Sequence, residues 1–248
     1  MTPNDVNVIV SKRSYEFRPD DIRLSILSLA NVQDYLRQTF QFSEAALGSP
    51  PPTFGAVTPS FPPGLIFNFG AWTDDEGQVT PIRFLYIETQ RIVIEVSGTS
   101  EIIDAVFRRL QEAIGAIEET THRSALGEPL MVRDYSEIVL SLAFPPHAIF
   151  NEAIVPLLSR AATMQDTREE NMAVVPIINV QLQAPNRPYI GNSFPSPTMV
   201  QLVLRVGTPP EEQIYYSAAP LDSSAHLAYL TDLQNVLSPA LALPAPDA

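Results

Sequence analysis

The sequence predicts an α+β protein of two similar halves, each running strand, helix, three antiparallel strands, helix, with its sheet covered by helices on one face. Three observations predict this. An apolar stripe of helical period fills residues 100–117, β-branched segments separated by tight turns precede it, and from residue 136 the same succession begins again.

The first element, residues 6–10, reads as an extra edge strand. Residues 22–28 then alternate apolar and polar and predict the first half's opening strand, after which Val32, Leu36 and Phe40 recur every four residues and mark a short helix. Three strands follow at 65–70, 81–88 and 91–97. Thr89 and Gln90 leave room only for a tight reversal, and the Asp74-Asp75-Glu76-Gly77 turn joins the first of these strands to the second. In the helix at 100–117, Ile102, Ile103, Val106, Phe107, Leu110, Ile114 and Ile117 share one face, while Glu101, Asp104, Arg108, Gln111 and Glu112 share the other. Phe107 and Leu110 are therefore expected in the core. Ser100 is placed to cap this helix, and Glu101 and Asp104 put negative charge near the positive end of its dipole.

The second half repeats the order, with a strand at 137–144, a helix at 148–164, strands at 174–183, 199–206 and 213–217, and a helix at 223–237. Pro156 lacks the N–H of an uninterrupted helix, so a kink or a restart is expected there. Two local echoes accompany the order. Leu27-Ser28-Leu29-Ala30 recurs as Leu140-Ser141-Leu142-Ala143, and an offset of 123 brings Ser100, Ala105, Leu110 and Gln111 onto Ser223, Ala228, Leu233 and Gln234. The expected organisation is a first α+β half at 1–120, a connection at 121–132, a second half at 133–240 and a disordered tail at 241–248. This order of elements resembles the saddle of TATA-binding proteins and some duplicated ligand-binding folds; the likeness is of element order alone and implies nothing about function.

Composition narrows the function classes. A chain of 248 residues with 45% hydrophobic and 17% charged residues can bury a core and lies outside the disordered class. It has no cysteine, which excludes disulfides, thiolate metal sites and cysteine nucleophiles, and it has a single lysine, Lys12. A net charge of −13 repels phosphate backbones, so nucleic acid is not an expected partner. Residues 1–10 carry no basic leader, and no window reaches the roughly 18 uninterrupted apolar residues of a membrane span. A cytoplasmic protein without a membrane partner is expected.

Motifs for chemistry are few. No two glycines are two residues apart, so neither a dinucleotide fingerprint nor a phosphate-cradling loop is present, and His122, His147 and His226 are too widely spaced for a local zinc motif. No cofactor is expected. The Asp74-Asp75-Glu76 run has carboxylates for a divalent cation, but such sites need ligands converging from several directions, and a solvated hairpin tip, the expected reading, explains the run without a metal. His147, beside Glu152 or Tyr135, can act as a base or simply cap a helix. Two proline-rich segments stand out: residues 48–64 carry six prolines with Phe54 and Phe61, and residues 185–197 carry four with Tyr189 and Phe194. Each contains Ser-Phe-Pro. The stretch Pro59-Ser60-Phe61-Pro62 has the spacing of a polyproline ligand, or forms a strap over the protein's own sheet.

Phe54, Phe61, Trp72, Tyr189 and Phe194 fall outside the predicted helices and strands, in connections long enough to suggest binding. The leading expectation is a non-catalytic interaction or assembly component that binds a protein partner, or self-associates, through these loops. The alternatives are a small-ligand binder with a cleft between the halves and an enzyme whose carboxylates or histidine converge only in space.

Overall fold

The computed structural model describes residues 3–48, 64–121, 126–144, 177–181, 199–205, 207–209 and 212–238. In chain order its elements are β1 (Asn4–Glu16), α1 (Leu24–Leu27), α2 (Ala30–Thr39), β2 (Glu44–Gly48), β3 (Gly64–Thr73), β4 (Val79–Glu88), β5 (Arg91–Val96), α3 (Ser100–Thr121), β6 (Met131–Ser141), β7 (Ile177–Gln181), β8 (Met199–Leu204), β9 (Ile214–Ala219) and α4 (Ser223–Leu237). The nine strands form one sheet in the order β2-β3-β4-β5-β1-β6-β9-β8-β7, each antiparallel to its neighbours. The sheet runs unbroken from strands before residue 120 into strands after 130 through the β1–β6 pairing.

Elements with a local signature form where that signature lies. The Thr89-Gln90 reversal joins β4 to β5, and the stripe of α3 buries Ile103, Val106, Phe107, Leu110 and Ile114 while Arg108 stays exposed. The Phe107 ring stacks on Tyr15 of β1, with centroids 3.7 Å apart and planes 10° from parallel. In α2, Val32 and Leu36 face the same core, and Phe40 closes the helix beneath them. The hairpin tip at residues 74–77 turns on Asp74, whose Oδ1 accepts hydrogen bonds from the backbone N–H of Glu76 at 3.0 Å and Gln78 at 2.8 Å, with Gly77 at φ 84°. That carboxylate is occupied in shaping the turn.

Four expectations change. Residues 6–10 belong to no edge strand; they lie within β1, a 13-residue strand at the middle of the sheet between β5 and β6. The charged residues that follow in β1, Lys12, Arg13 and Glu16, are matched by Glu95, Asp134 and Arg133 from distant parts of the chain, which lets the strand take a central place. Residues 22–28 contain the single turn α1 and no strand. Ile26 and Leu27 are adjacent and both buried, which one turn of helix allows and a half-covered strand does not. The Leu-Ser-Leu-Ala echo dissolves, because Leu27–Ala30 joins α1 to α2 while Leu140 and Ser141 end β6. Trp72 lies inside β3, paired with Thr80 and partly buried against the core. The acidic tip following it made Trp72 look like the start of a loop, but the β3–β4 ladder extends to Thr73 and Val79. One further strand, β2, pairs with β3 and has no counterpart among the predicted elements.

The four helices among the described residues share one face of the sheet. Ser11 is paired with Val96 on one side and Ser136 on the other; Val96 lies in the core beneath α3, and Ser136 is hydrogen-bonded to His226 of α4. One core, including Phe67, Leu85, Ile87, Ile92 and Ile94, sits under α1, α2 and α3, and a smaller one, including Ile138, Leu140, Tyr215 and Leu230, sits under α4. The N-termini of α3 and α4 meet. The N–H of Ser100 donates to Ser223 Oγ at 3.0 Å, and the N–H of Ser223 donates to Ser100 Oγ at 2.8 Å, so each serine satisfies a donor of the other helix. Ser224 Oγ adds a hydrogen bond to Glu101 Oε1 at 2.7 Å. The predicted helix at 148–164, with Pro156, and the tail at 241–248 lie outside the described residues.

Candidate functional site

Among the described residues no helix lies on the opposite face of the sheet; this helix-free face holds a buried apolar cluster of Ile66, Phe84, Tyr86 and Val93 and, beside it, two further regions. At its centre, Tyr135 of β6, Lys12 of β1, Glu95 of β5 and Phe84 of β4 stand in one cross-strand row. The alternation of strand side chains puts them there, since Tyr15, Ile94 and Ile138 on the same strands face the helices. Lys12 is 7% exposed; its Nζ lies 3.8 Å from Glu95 Oε2 and 5.2 Å from the centre of the Phe84 ring. Glu95 also meets Arg83 at 3.6 Å. Tyr135 donates its hydroxyl proton to Glu137 Oε1 at 2.8 Å.

Desolvation dominates this row. Burial draws Lys12 below the usual lysine range against the attraction of Glu95 and Glu137, and burial raises Glu95 against the pull of Lys12 and Arg83. The Tyr135 phenol is pushed up by burial and by the Glu137 charge, and the Tyr216 phenol by the same causes to about 12. Both phenols are therefore protonated at neutral pH and act as fixed donors. The row anchors β1 to β5 and β6. Further along the same face, Glu16 continues the pattern with Arg133 at 3.1 Å and Arg91 at 3.9 Å.

A second polar group lies on the helix side. His226 of α4 is fully buried, with Nδ1 2.9 Å from Ser136 Oγ and Nε2 2.8 Å from Ser217 Oγ. The two hydroxyls also reach carbonyls, Ser136 that of Leu221 and Ser217 that of Gln201. A neutral ring has one donor and one acceptor, so three protons serve four contacts. A charged ring would fill all four, but burial opposes the charge more strongly and holds His226 down at about 4. The ring is a neutral cross-link between α4, β6 and β9.

Neither a protein-family model nor a curated protein matches this chain.

The second region of this face, over β7, β8 and β9, is partly exposed among the described residues. Ile177 and Met199 are 55% and 43% exposed, and Val203, Ile214 and Tyr216 are half-buried. Register keeps them on one surface, since Val203 is paired with both Ile177 and Tyr216. Among the residues proposed from sequence for binding, Trp72 lies in β3 at the other end of the sheet; Phe54, Phe61, Tyr189 and Phe194 lie outside the described residues, as do His147, Glu152 and Pro59–Pro62. Tyr135, weighed as a neighbour of His147, is in the Lys12 row. Sequence reasoning passed over Lys12, Glu95, Glu137 and the open patch. A signal for the patch was present: residues 171–204 contain one charged residue, Arg187, and residues 45–73 contain none, in a chain that is 17% charged. Both ends of the sheet fall in these stretches.

Proposed function

We propose that the chain is a non-catalytic interaction or assembly component that binds a protein partner in the cytoplasm. The observation that carries this reading is the open end of the helix-free face, where Ile177, Met199, Val203, Ile214 and Tyr216 form an uncharged surface on a chain of net charge −13. The partner it suits is uncharged and aliphatic or aromatic where it touches. The proline-rich segments carrying Phe54, Phe61, Tyr189 and Phe194 supply further recognition residues of that kind. Net charge argues against nucleic acid, and no helix among the described residues is long and apolar enough to cross a membrane. Site-directed photo-crosslinking in the producing cell tests the reading. A photoreactive residue at Met199 is expected to give an adduct of defined mass, whereas one at the exposed Glu112 of α3 gives none. Equal labelling from both positions, or none from either, would refute it.

We also infer that the two halves are copies of one unit. Supporting this are the matching neighbour orders β1-β5-β4-β3 and β6-β9-β8-β7, each closed by a helix, and the reciprocal Ser100 and Ser223 bonds at the offset of 123 that aligns α3 with α4. In experimental coordinates β4, β5 and α3 are expected to superpose on β8, β9 and α4; helices placed differently on their strands would remove the inference.

A further inference from the structure

We infer that the outer edge of β7 pairs with the β7 edge of a second copy of this chain, the two strands running antiparallel. The inference deepens the interaction reading above, on which it rests, by naming one partner and the backbone that receives it.

Among the described residues β7 pairs only with β8, so it forms an edge of the sheet. Edge strands are ordinarily kept from pairing by a charge, a proline or a bulge. Within its five residues Ile177-Ile178-Asn179-Val180-Gln181 has neither charge nor proline, Pro176 standing just before the strand; it is rich in β-branched residues and pairs with β8 in continuous register. The opposite edge, β2, is a poorer template, because Glu44-Ala45-Ala46-Leu47-Gly48 opens on a charge, ends on glycine and has no β-branched residue.

The strand count decides how two copies can join. With nine strands alternating in direction, β2 and β7 point the same way. Continuing the sheet from β7 into another copy's β2, with the helices on one side, would therefore require a parallel pair. A two-fold axis normal to the sheet instead brings β7 against β7 in antiparallel order and closes the assembly at two chains. Centred on Asn179, the pairing sets residue 177 opposite 181, 178 opposite 180, and Asn179 opposite its own copy. No like charges meet across this seam, in a chain of net charge −13. Ile177 and Met199 of each copy would flank the seam on the helix-free face.

Sedimentation velocity of the full chain, from dilute to concentrated protein, tests this. A doubling to the two-chain mass is expected. Asn179 is exposed, so Asn179→Lys and Asn179→Asp leave the fold intact and each should sediment as a single chain, while their equimolar mixture regains the doubled mass. Because the chain has no cysteine, Asn179→Cys should give one disulfide-linked pair on mild oxidation. A single-chain mass at every concentration overturns the inference, as does a two-chain species that survives Asn179→Lys. If the native chain is single but Met199 still crosslinks to a different protein, the pairing is wrong and the interaction reading stands; a single chain with no adduct removes both.

Discussion

Phe107→Ala is expected to destabilise the protein by about 3 to 5 kcal/mol, whereas Arg108→Ala, one position along the same helix, should stay within about 0.5 kcal/mol of the parent. The aromatic ring is 7% exposed and stacked on Tyr15, so truncation leaves a void between α3 and the central strand and exposes one face of a second ring. The backbone on either side is held by helix hydrogen bonds and cannot collapse to fill that space. Arg108 projects into solvent and has little packing to lose. Urea unfolding of both variants at equal protein concentration measures the contrast. An unchanged midpoint for Phe107→Ala would mean that the stripe of α3 is not core.

Acidification should remove about 3 kcal/mol through His226 alone. Above pH 6.5 the ring is neutral in both folded and unfolded chains. As pH falls from 6.5 toward 4 the unfolded chain takes up a proton that the buried ring, held down at about 4, refuses. The unfolded state then binds more protons, so stability declines through this window and the His226 contribution levels off below it. His226→Gln keeps a side chain able to bond to Ser136 or Ser217 but cannot titrate. Its stability should be lower at neutral pH and less dependent on pH between 6.5 and 4, by one proton's worth of slope. Because 28 acidic residues also begin to titrate toward the lower end of this range, the informative quantity is the difference between parent and variant across a denaturation series. Parallel pH profiles would show that the ring is not buried neutral.

What could be read from the sequence was what short segments decide by themselves. The period of α3, the two-residue reversal at Thr89 and Gln90, and the span of α4 are set by residues within a few positions of one another, and they stand where the pattern places them. The Ser100 and Ser223 alignment also had a structural counterpart, although that the first residues of two helices would bond to each other was not visible in either helix alone. Position within the sheet was hidden. Nothing local to Lys12 or Arg13 announces Glu95 and Asp134, so residues 6–10 read as a short edge strand and not as part of the central one. Trp72 was misread because turn-forming residues follow it closely. His226 gave no signal, since the hydroxyls that occupy both ring nitrogens come from β6 and β9. The Lys12 row was hidden for the same reason, and the open patch was legible only as a long absence of charge.

The place of β1 has a bearing on how the chain is made. This strand is synthesised before either neighbour, yet both its sides are paired only after β5, ending at Val96, and β6, ending at Ser141, have been added. Until Val96 is added a 13-residue strand has two open sides, and until Ser141 it has one; its contacts span most of the first 141 residues. Topologies with such distant pairings assemble slowly and expose strand edges while they do so. The polar residues of β1 suit this interval, because Lys12, Arg13 and Glu16 keep an unpaired strand hydrated and discourage its capture by other nascent chains until its own partners arrive.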